Sequence, residues 1–381
     1  MRLLLVTSAL VGCSFSPPEG GGQFACSAAA PQCPPGTSCI DDRCVVPADA
    51  SLPPDFQFRQ PLQLALVEDG ELTDVPVLVT LTPDVFDYQA VRNDGDDIRF
   101  TDLAGNPLVY EVEVWDPGGT SILWVKLRRL GPGDESIWLY YGEPDADPPT
   151  GGREVWSRYQ AVYHLGGGGA DSSAGMNDGA LTGTETAPGW IDGGRLFDGN
   201  DHIEIGPAPP FLRAVPGATL EAWVKPAPLS GDADQVVVAV SAHGAQRSRA
   251  QIKLDPLGDV KVVFRTVDTA EPSAPLVDDQ PLVPGEWTWV AAVADFRART
   301  VRVFVNGVES AAAITDAFAE TTPDTAPDQA LIAIDEANIE LFDGTLDEVR
   351  IAGEALSDRW LAVQKRSMRG ELITFGEPEA L

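Results

Sequence analysis

Val301-Arg302-Val303-Phe304-Val305-Asn306-Gly307 decides the fold class. Val301, Val303 and Val305 alternate with Arg302, Phe304 and Asn306, the period of a strand with two unlike faces. The run ends on Asn-Gly, the strongest short hairpin signal, so a second strand should follow at once. Working outward, Trp287-Thr288-Trp289-Val290-Ala291-Ala292-Val293 is apolar on both sides and predicts a central strand. Leu220, Ala222 and Val224 alternate with Glu221, Trp223 and Lys225 in the same manner. In the first half, Leu108, Tyr110, Val112 and Val114 share one face, opposite Val109, Glu111, Glu113 and Trp115. The alternation assigns Glu111 and Glu113 to solvent. Ser136 to Tyr141 is apolar on both faces and reads as central. Turn signals such as Asn93-Asp94-Gly95 and Gly131-Pro132-Gly133 recur between these runs, so the chain is all-β, a sandwich or barrel in each half. One helix is expected after Ser357, its cap, with Asp358 in the first turn and Arg366 toward the end. Residues 309–330 read as a long solvated loop, and Phe197 and Trp289 as core.

The chain opens with Arg2, an apolar stretch, and Leu10-Val11-Gly12-Cys13. A positive start, an apolar run and small residues before a cysteine form a secretory signal of the lipoprotein type. The expectation is removal of residues 1–12, lipid (palmitate among the acyl chains) on Cys13, and a membrane held through that anchor only. Ser14 follows, with no Asp to suggest inner-membrane retention, so the expected place is the outer membrane or cell surface. The other cysteines are Cys26, Cys33, Cys39 and Cys44. An even set in an exported chain reads as two disulfides, with all three pairings open. Residues 13–54, rich in Pro, Gly, Ser and Ala, would then be a lipidated Cys-rich stalk and linker, followed by folded units at 55–147 and 155–381 around a Pro-Pro-Thr-Gly-Gly break.

The formal net charge is −32. Acidity on that scale repels phosphate, so a nucleic-acid partner is not expected. Catalysis is not expected either. The three histidines, His164, His202 and His243, are scattered; no His-Glu-x-x-His or Gly-x-Ser-x-Gly occurs. Asp343, Asp347 and Glu348 lack the Glu-x-Asp-x-x-Glu spacing of glucanases.

Six pieces in order carry a resemblance. They are Tyr163-His164-Leu165, Asp171 to Gly179, Leu196-Phe197-Asp198-Gly199-Asn200-Asp201, Leu220 to Pro226, Val303 to Gly307, and Leu346-Asp347-Glu348-Val349-Arg350-Ile351. Together they resemble the laminin-G-like (concanavalin A-like lectin/glucanase) jelly rolls of bacterial surface lipoproteins. Residues 75–142 resemble a domain of unknown function commonly placed before such a module, on Asp94 to Phe100, Tyr110 to Trp115, Leu123 to Leu127 and Leu139 to Gly142. The resemblance implies a concanavalin A-like jelly-roll sandwich with a smaller N-terminal β-sandwich. It further implies non-catalytic binding of a polysaccharide or glycoprotein, or of an envelope protein. Modules of this kind commonly hold calcium, for which Asp171, Asn177 and Asp347 are the matching residues; Gly166 to Gly169 replaces a further acidic position. The competing reading makes Asp171 and Asn177 turn-formers. Trp156 and Trp190 could stack on a sugar or simply cover a sandwich edge.

Overall fold

The computed structural model describes residues 55–65, 70–132, 136–229, 231–241, 248–267, 275–335 and 337–381, together with the backbone of 38–40 and 43–45. Ser38–Ile40 and Arg43–Val45 form a small antiparallel hairpin in which Cys39 and Cys44 are cross-strand partners. Cys13, Cys26 and Cys33 lie outside the described residues. Residues 55–381 form one compact unit.

The fold is all-β with one α-helix among the described residues. Two antiparallel sheets make the jelly roll. The first has eight strands: Glu185–Pro188, Gly193–Asp198, Asp343–Ala352, Gly217–Pro226, Thr288–Asp295, Thr300–Val305 and Val308–Ile314 in order, with Ala161–Tyr163 also pairing Asp343–Ala352. The second has seven: Ala180–Thr182, His202–Ile205, Gln329–Ile332, Gln235–Ser241, Ser248–Leu254, Val260–Phe264 and Leu276–Val277. Thr288–Asp295 is flanked on both sides, as its two apolar faces predict. Asn306 (φ 50°) and Gly307 (φ 76°) form the predicted turn, both in the left-handed region that such a two-residue hairpin requires. Leu220, Val238, Ile252, Val290, Val303, Ile332 and Ile351 meet between the sheets in an apolar core. Burial of each such large side chain stabilises the fold by about 1.5–3 kcal/mol.

The smaller domain has two sheets of its own. Leu72–Leu81, Ser121–Leu130 and Tyr110–Val114 form one; Phe58–Leu64, Ser136–Tyr141, Arg99–Asp102 and Pro107–Leu108 form the other. Ser136–Tyr141 is central. The end of the chain returns to this domain: Ile373–Phe375 and Glu379–Ala380 both pair with Phe58–Leu64. The helix Asp358–Met368 starts where Ser357 Oγ accepts the Trp360 amide at 3.2 Å. It packs on Leu72–Leu81, with Ser367 Oγ accepting the Leu78 amide and Gln364 Nε2 donating to the Pro76 carbonyl.

Two sequence expectations are corrected, and one open choice is decided. Residues 309–330 are not one loop: Val308–Ile314 is an edge strand and Gln329–Ile332 an inner one. The run of small residues looked featureless because an edge strand needs no apolar face. Trp156 is buried, and Trp190 stacks on Trp223 with ring centroids 4.0 Å apart, so neither indole offers a free face. Glu111 and Glu113 do not face solvent. They point at the jelly roll.

Candidate functional site

Trp223, Trp289, Ala291, Val293 and Phe304 lie on the outer face of the eight-stranded sheet, and each is buried in the same apolar cluster as Val77, Leu123 and Trp124 of the smaller domain. Inside that seam sits a charged network. Its jelly-roll half comes from Asp343–Ala352, where Leu346 and Val349 enter the sandwich core while Asp347, Glu348 and Arg350 point outward. Consecutive strand residues normally alternate. Here the register shifts between Glu221 and Trp223, and Glu348 takes φ 52°, so a bulge turns both acids to one side.

His164, just after Ala161–Tyr163, is the hub. Its Nδ1 lies 2.6 Å from Glu348 Oε1 and 3.4 Å from Glu113 Oε2, and its Nε2 lies 3.5 Å from Glu111 Oε2. Trp124 Nε1 donates to Glu113 (2.8 Å), Trp156 Nε1 to Glu111, and Ser172 Oγ to Glu111 (2.6 Å). Arg350 Nε donates to Glu348 (3.1 Å) and its Nη1 to Gln364 Oε1 (3.0 Å). Its guanidinium lies over Trp124 and Trp156, at 4.7 and 4.8 Å. Trp360 Nε1 donates to the Tyr159 hydroxyl, which donates to Glu221, each at 3.0 Å.

Burial sets the protonation. It pushes Glu113 and Glu221 up from 4.5 to about 7. Burial and then the neighbouring Glu348 hold Asp347 well above the usual carboxylate range. Burial also penalises His164, but Glu113 and Glu348 more than offset it and raise the imidazole well above 6.5. Against the same penalty, His164 and Arg350 keep Glu348 low, and His164 keeps Glu111 low. Near neutral pH, two cations, His164 and Arg350, therefore face two firm anions, Glu111 and Glu348. Glu113 and Glu221, raised to about 7, titrate beside them, so the seam gains negative charge as pH rises.

Among the described residues, Glu113, His164 and Glu348 are the one group of His, Cys, Asp or Glu side chains close enough to share a metal ion. The 2.6 Å between His164 Nδ1 and Glu348 Oε1 fits a shared proton; two ligands on one ion stand wider apart. Of the sequence-predicted ligands, the structure brings Asp171 and Asn177 together and places Asp347 in the seam. Asp171 Oδ1 accepts the amides of Val162 (3.0 Å) and Ser173 (2.8 Å); Oδ2 accepts Ser173 Oγ (3.0 Å) and the Asn177 amide (2.8 Å). Both oxygens thus organise the loop. Asp347 Oδ2 accepts the amides of Trp190 and Ile191, both at 2.8 Å. Sequence reasoning missed His164, Glu113 and Arg350. The available signal was the run itself, in which Asp347, Glu348 and Arg350 are set among Leu346, Val349 and Ile351.

The seven-stranded sheet turns a different outer face away from its core. Arg249, Gln251 and Lys253 alternate with the core residues Ala250, Ile252 and Leu254, and Lys261 with Val260 and Val262. Lys253 Nζ meets Asp234 (2.8 Å) and Glu340 (3.0 Å), and Lys261 Nζ meets Asp234 (2.7 Å). Arg249 donates to the Thr325 carbonyl at 2.7 Å. The lysines of this face are thus paired with acids, Arg249, Gln251 and Lys253 are buried, and Val236, Ala239, Leu331 and Ile334 form a small apolar cluster of their own.

Residues 197–362 match the family described as the concanavalin A-like lectin/glucanases superfamily. Residues 94–164 match a domain of unknown function (DUF2341), and that match runs through Trp156 to His164, across the seam. No curated protein matches. Among solved structures, domain 4 of a Geobacillus stearothermophilus arabinanase, in complex with arabinotriose, is 21% identical, with 54% of this chain and 97% of that chain covered and a TM-score of 0.44. The CBM40 of a Ruminococcus gnavus sialidase, bound to sialyllactose, is 19% identical, covering 45% and 96%, with a TM-score of 0.38. The botulinum neurotoxin serotype D ligand binding domain, in complex with N-acetylneuraminic acid, is 12% identical, covering 55% and 50%, with a TM-score of 0.42.

Proposed function

We propose that this chain is a non-catalytic surface lipoprotein whose jelly roll binds carbohydrate. The observation that carries the reading is the unequal use of the two sheets. The outer face of the eight-stranded sheet is closed by the smaller domain, and its acids are out of reach: Glu221, Asp347 and Glu348 are each 0% exposed. A glycosidase needs two carboxyls open to one sugar. No described residue of the seven-stranded sheet enters the apolar cluster shared with the smaller domain, so in this proposal recognition falls on the loops and edges on that side of the sandwich. The match to a lectin-containing superfamily over 197–362 supports the same reading. In this proposal Cys13 carries the lipid, residues 13–54 act as the spacer, and the surface is that of the outer membrane.

The test is the full chain on a glycan array, in calcium and again in chelator. Saturable binding to one glycan class, with no product released, is expected. A blank array in both buffers overturns the carbohydrate reading and points to an envelope protein as ligand. Calcium dependence lost in Asp171→Asn would assign the ion to Asp171 and Asn177; a chelator-insensitive signal leaves them as loop organisers. Labelling with a palmitate analogue, abolished by Cys13→Ala, checks the anchor.

A further inference from the structure

The loop 171–178 is where the family resemblance puts a calcium ion, yet its own atoms select a different cation. Calcium takes about six to eight oxygen ligands, carboxylates first among them. A carboxylate has about four lone-pair sites to give, and those of Asp171 are taken. The amides of Val162 and Ser173 fill Oδ1; the Ser173 hydroxyl and the Asn177 amide fill Oδ2, all within 3.0 Å. Asp171 is 0% exposed, so neither oxygen turns outward to an ion. The Asn177 carbonyl accepts the Tyr163 hydroxyl at 2.7 Å, and Asp178 Oδ1 accepts the Asp171 amide at 2.9 Å. Asp347 serves another loop, through Trp190 and Ile191, and among the described residues it shares no metal group with Asp171. The donor set does not fit calcium.

What the loop does hold is a guanidinium. Arg153 Nη1 donates to the Asp171 carbonyl and, at 3.0 Å, to the Ser173 carbonyl. Backbone carbonyls that converge on one positive group are oxygens a hard cation would otherwise claim. A divalent ion beside them would also meet the charge of Arg153 and be repelled. Arg153 stands in the short helical turn Gly152–Trp156, whose Val155 and Trp156 are buried in one cluster with Val77, Leu123 and Trp124 of the smaller domain. The cation therefore reaches the loop from that domain. The same domain adds an anion, since Glu111 Oε1 accepts the Ser172 hydroxyl at 2.6 Å. Three consecutive residues, Asp171, Ser172 and Ser173, are thus clasped by opposite charges from outside the jelly roll.

We propose that Arg153 takes the place of the calcium ion at this loop, so that the smaller domain supplies the charge that holds 171–178. The loop is then ordered without any divalent ion. The test is amide hydrogen exchange of the full chain, with no glycan present, in calcium and in chelator. Exchange across 171–178 in the wild type is expected to be the same in both buffers. Arg153→Met keeps the stem and removes the guanidinium, and Arg153 is exposed, so the change spares the core. In chelator it should speed exchange across 171–178 about tenfold, the worth of a lost charge-assisted bond, and leave the core strand Asp343–Ala352 as it was. Slower exchange in calcium, confined to the wild-type loop, overturns the inference, because the ion then has a place there. An Arg153→Met loop that exchanges like wild type overturns it too, because Arg153 then holds nothing. The wild-type comparison needs no variant and decides the matter even if Arg153→Met fails to fold. Neither arm uses a glycan, so the function proposed above stands or falls separately.

Discussion

On one side, the strand Asp343–Ala352 gives Leu346, Val349 and Ile351 to a dry sandwich core; on the other, it gives Asp347, Glu348 and Arg350 to a buried, hydrogen-bonded seam. The two faces are equally shut off from water, yet they are built by opposite rules. The apolar face gains from contact in any orientation and tolerates repacking. The charged face gains only when each donor meets its acceptor, so it fixes where the smaller domain sits. Buried ion pairs are weak sources of net stability but costly to break. The seam therefore works as an orienting device.

The largest effect expected from breaking this asymmetry is at Arg350. Arg350→Met removes the cation that two donors tie to Glu348 and leaves that carboxylate short of charge, a change of about 3–5 kcal/mol. Denaturant unfolding of the full chain measures it. A cost under about 1 kcal/mol would show that His164 alone balances the seam.

Next is pH. Glu221 has its folded value raised by burial from 4.5 to about 7, so its contribution is complete below the lower value and lost as pH rises through the upper. The loss is at most about 3 kcal/mol. Glu221→Gln can still accept from Tyr159 and should remove this share, so that the difference between wild type and variant grows from pH 5 to 8. A constant difference would place Glu221 outside the titration. Glu113 titrates in the same window and keeps its own slope in the variant.

Smaller still is the helix cap on the seam side. Ser357→Ala removes the oxygen that receives the Trp360 amide and should cost about 1 kcal/mol in thermal unfolding. The finest test is a methyl on the inner face. Ile351→Val, one residue from Arg350, should cost about 0.5–1.5 kcal/mol without changing the pH profile. If it cost as much as Arg350→Met, the two faces would not differ as described.

Much of the architecture was legible because strand period and turn chemistry are local. Val301 to Gly307 and Trp287 to Val293 took the places that their patterns predict, and Ser357 capped its helix. The seam was not legible, for two physical reasons. A period of two shows which residues share a face, but not whether that face meets water or another domain, so Glu111 and Glu113 read as solvated. A bulge also breaks the period: with Glu348 at φ 52°, Asp347 and Glu348 share a side that alternation would separate. Trp156 and Trp190 stayed open between stacking on a ligand and covering an edge for the same reason, since nothing local shows what covers an indole. His164 gave only its neighbours Tyr163 and Leu165, a pattern equally fit for a core histidine.

The strand Phe58–Leu64 lies between Ser136–Tyr141 and the distant strands Ile373–Phe375 and Glu379–Ala380, with Arg59 bonded to Glu379 across a separation of 320 residues. Closing so long a loop has an entropic cost that only completed structure can repay, so this contact should be among the last to form. During folding, the domain that comes first in the sequence would wait, one edge bare, while the jelly roll assembles between its two parts. That bare edge is the point at which a stalled chain would be open to another strand, its own or a neighbour's. The order of events in time thus inverts the order along the chain.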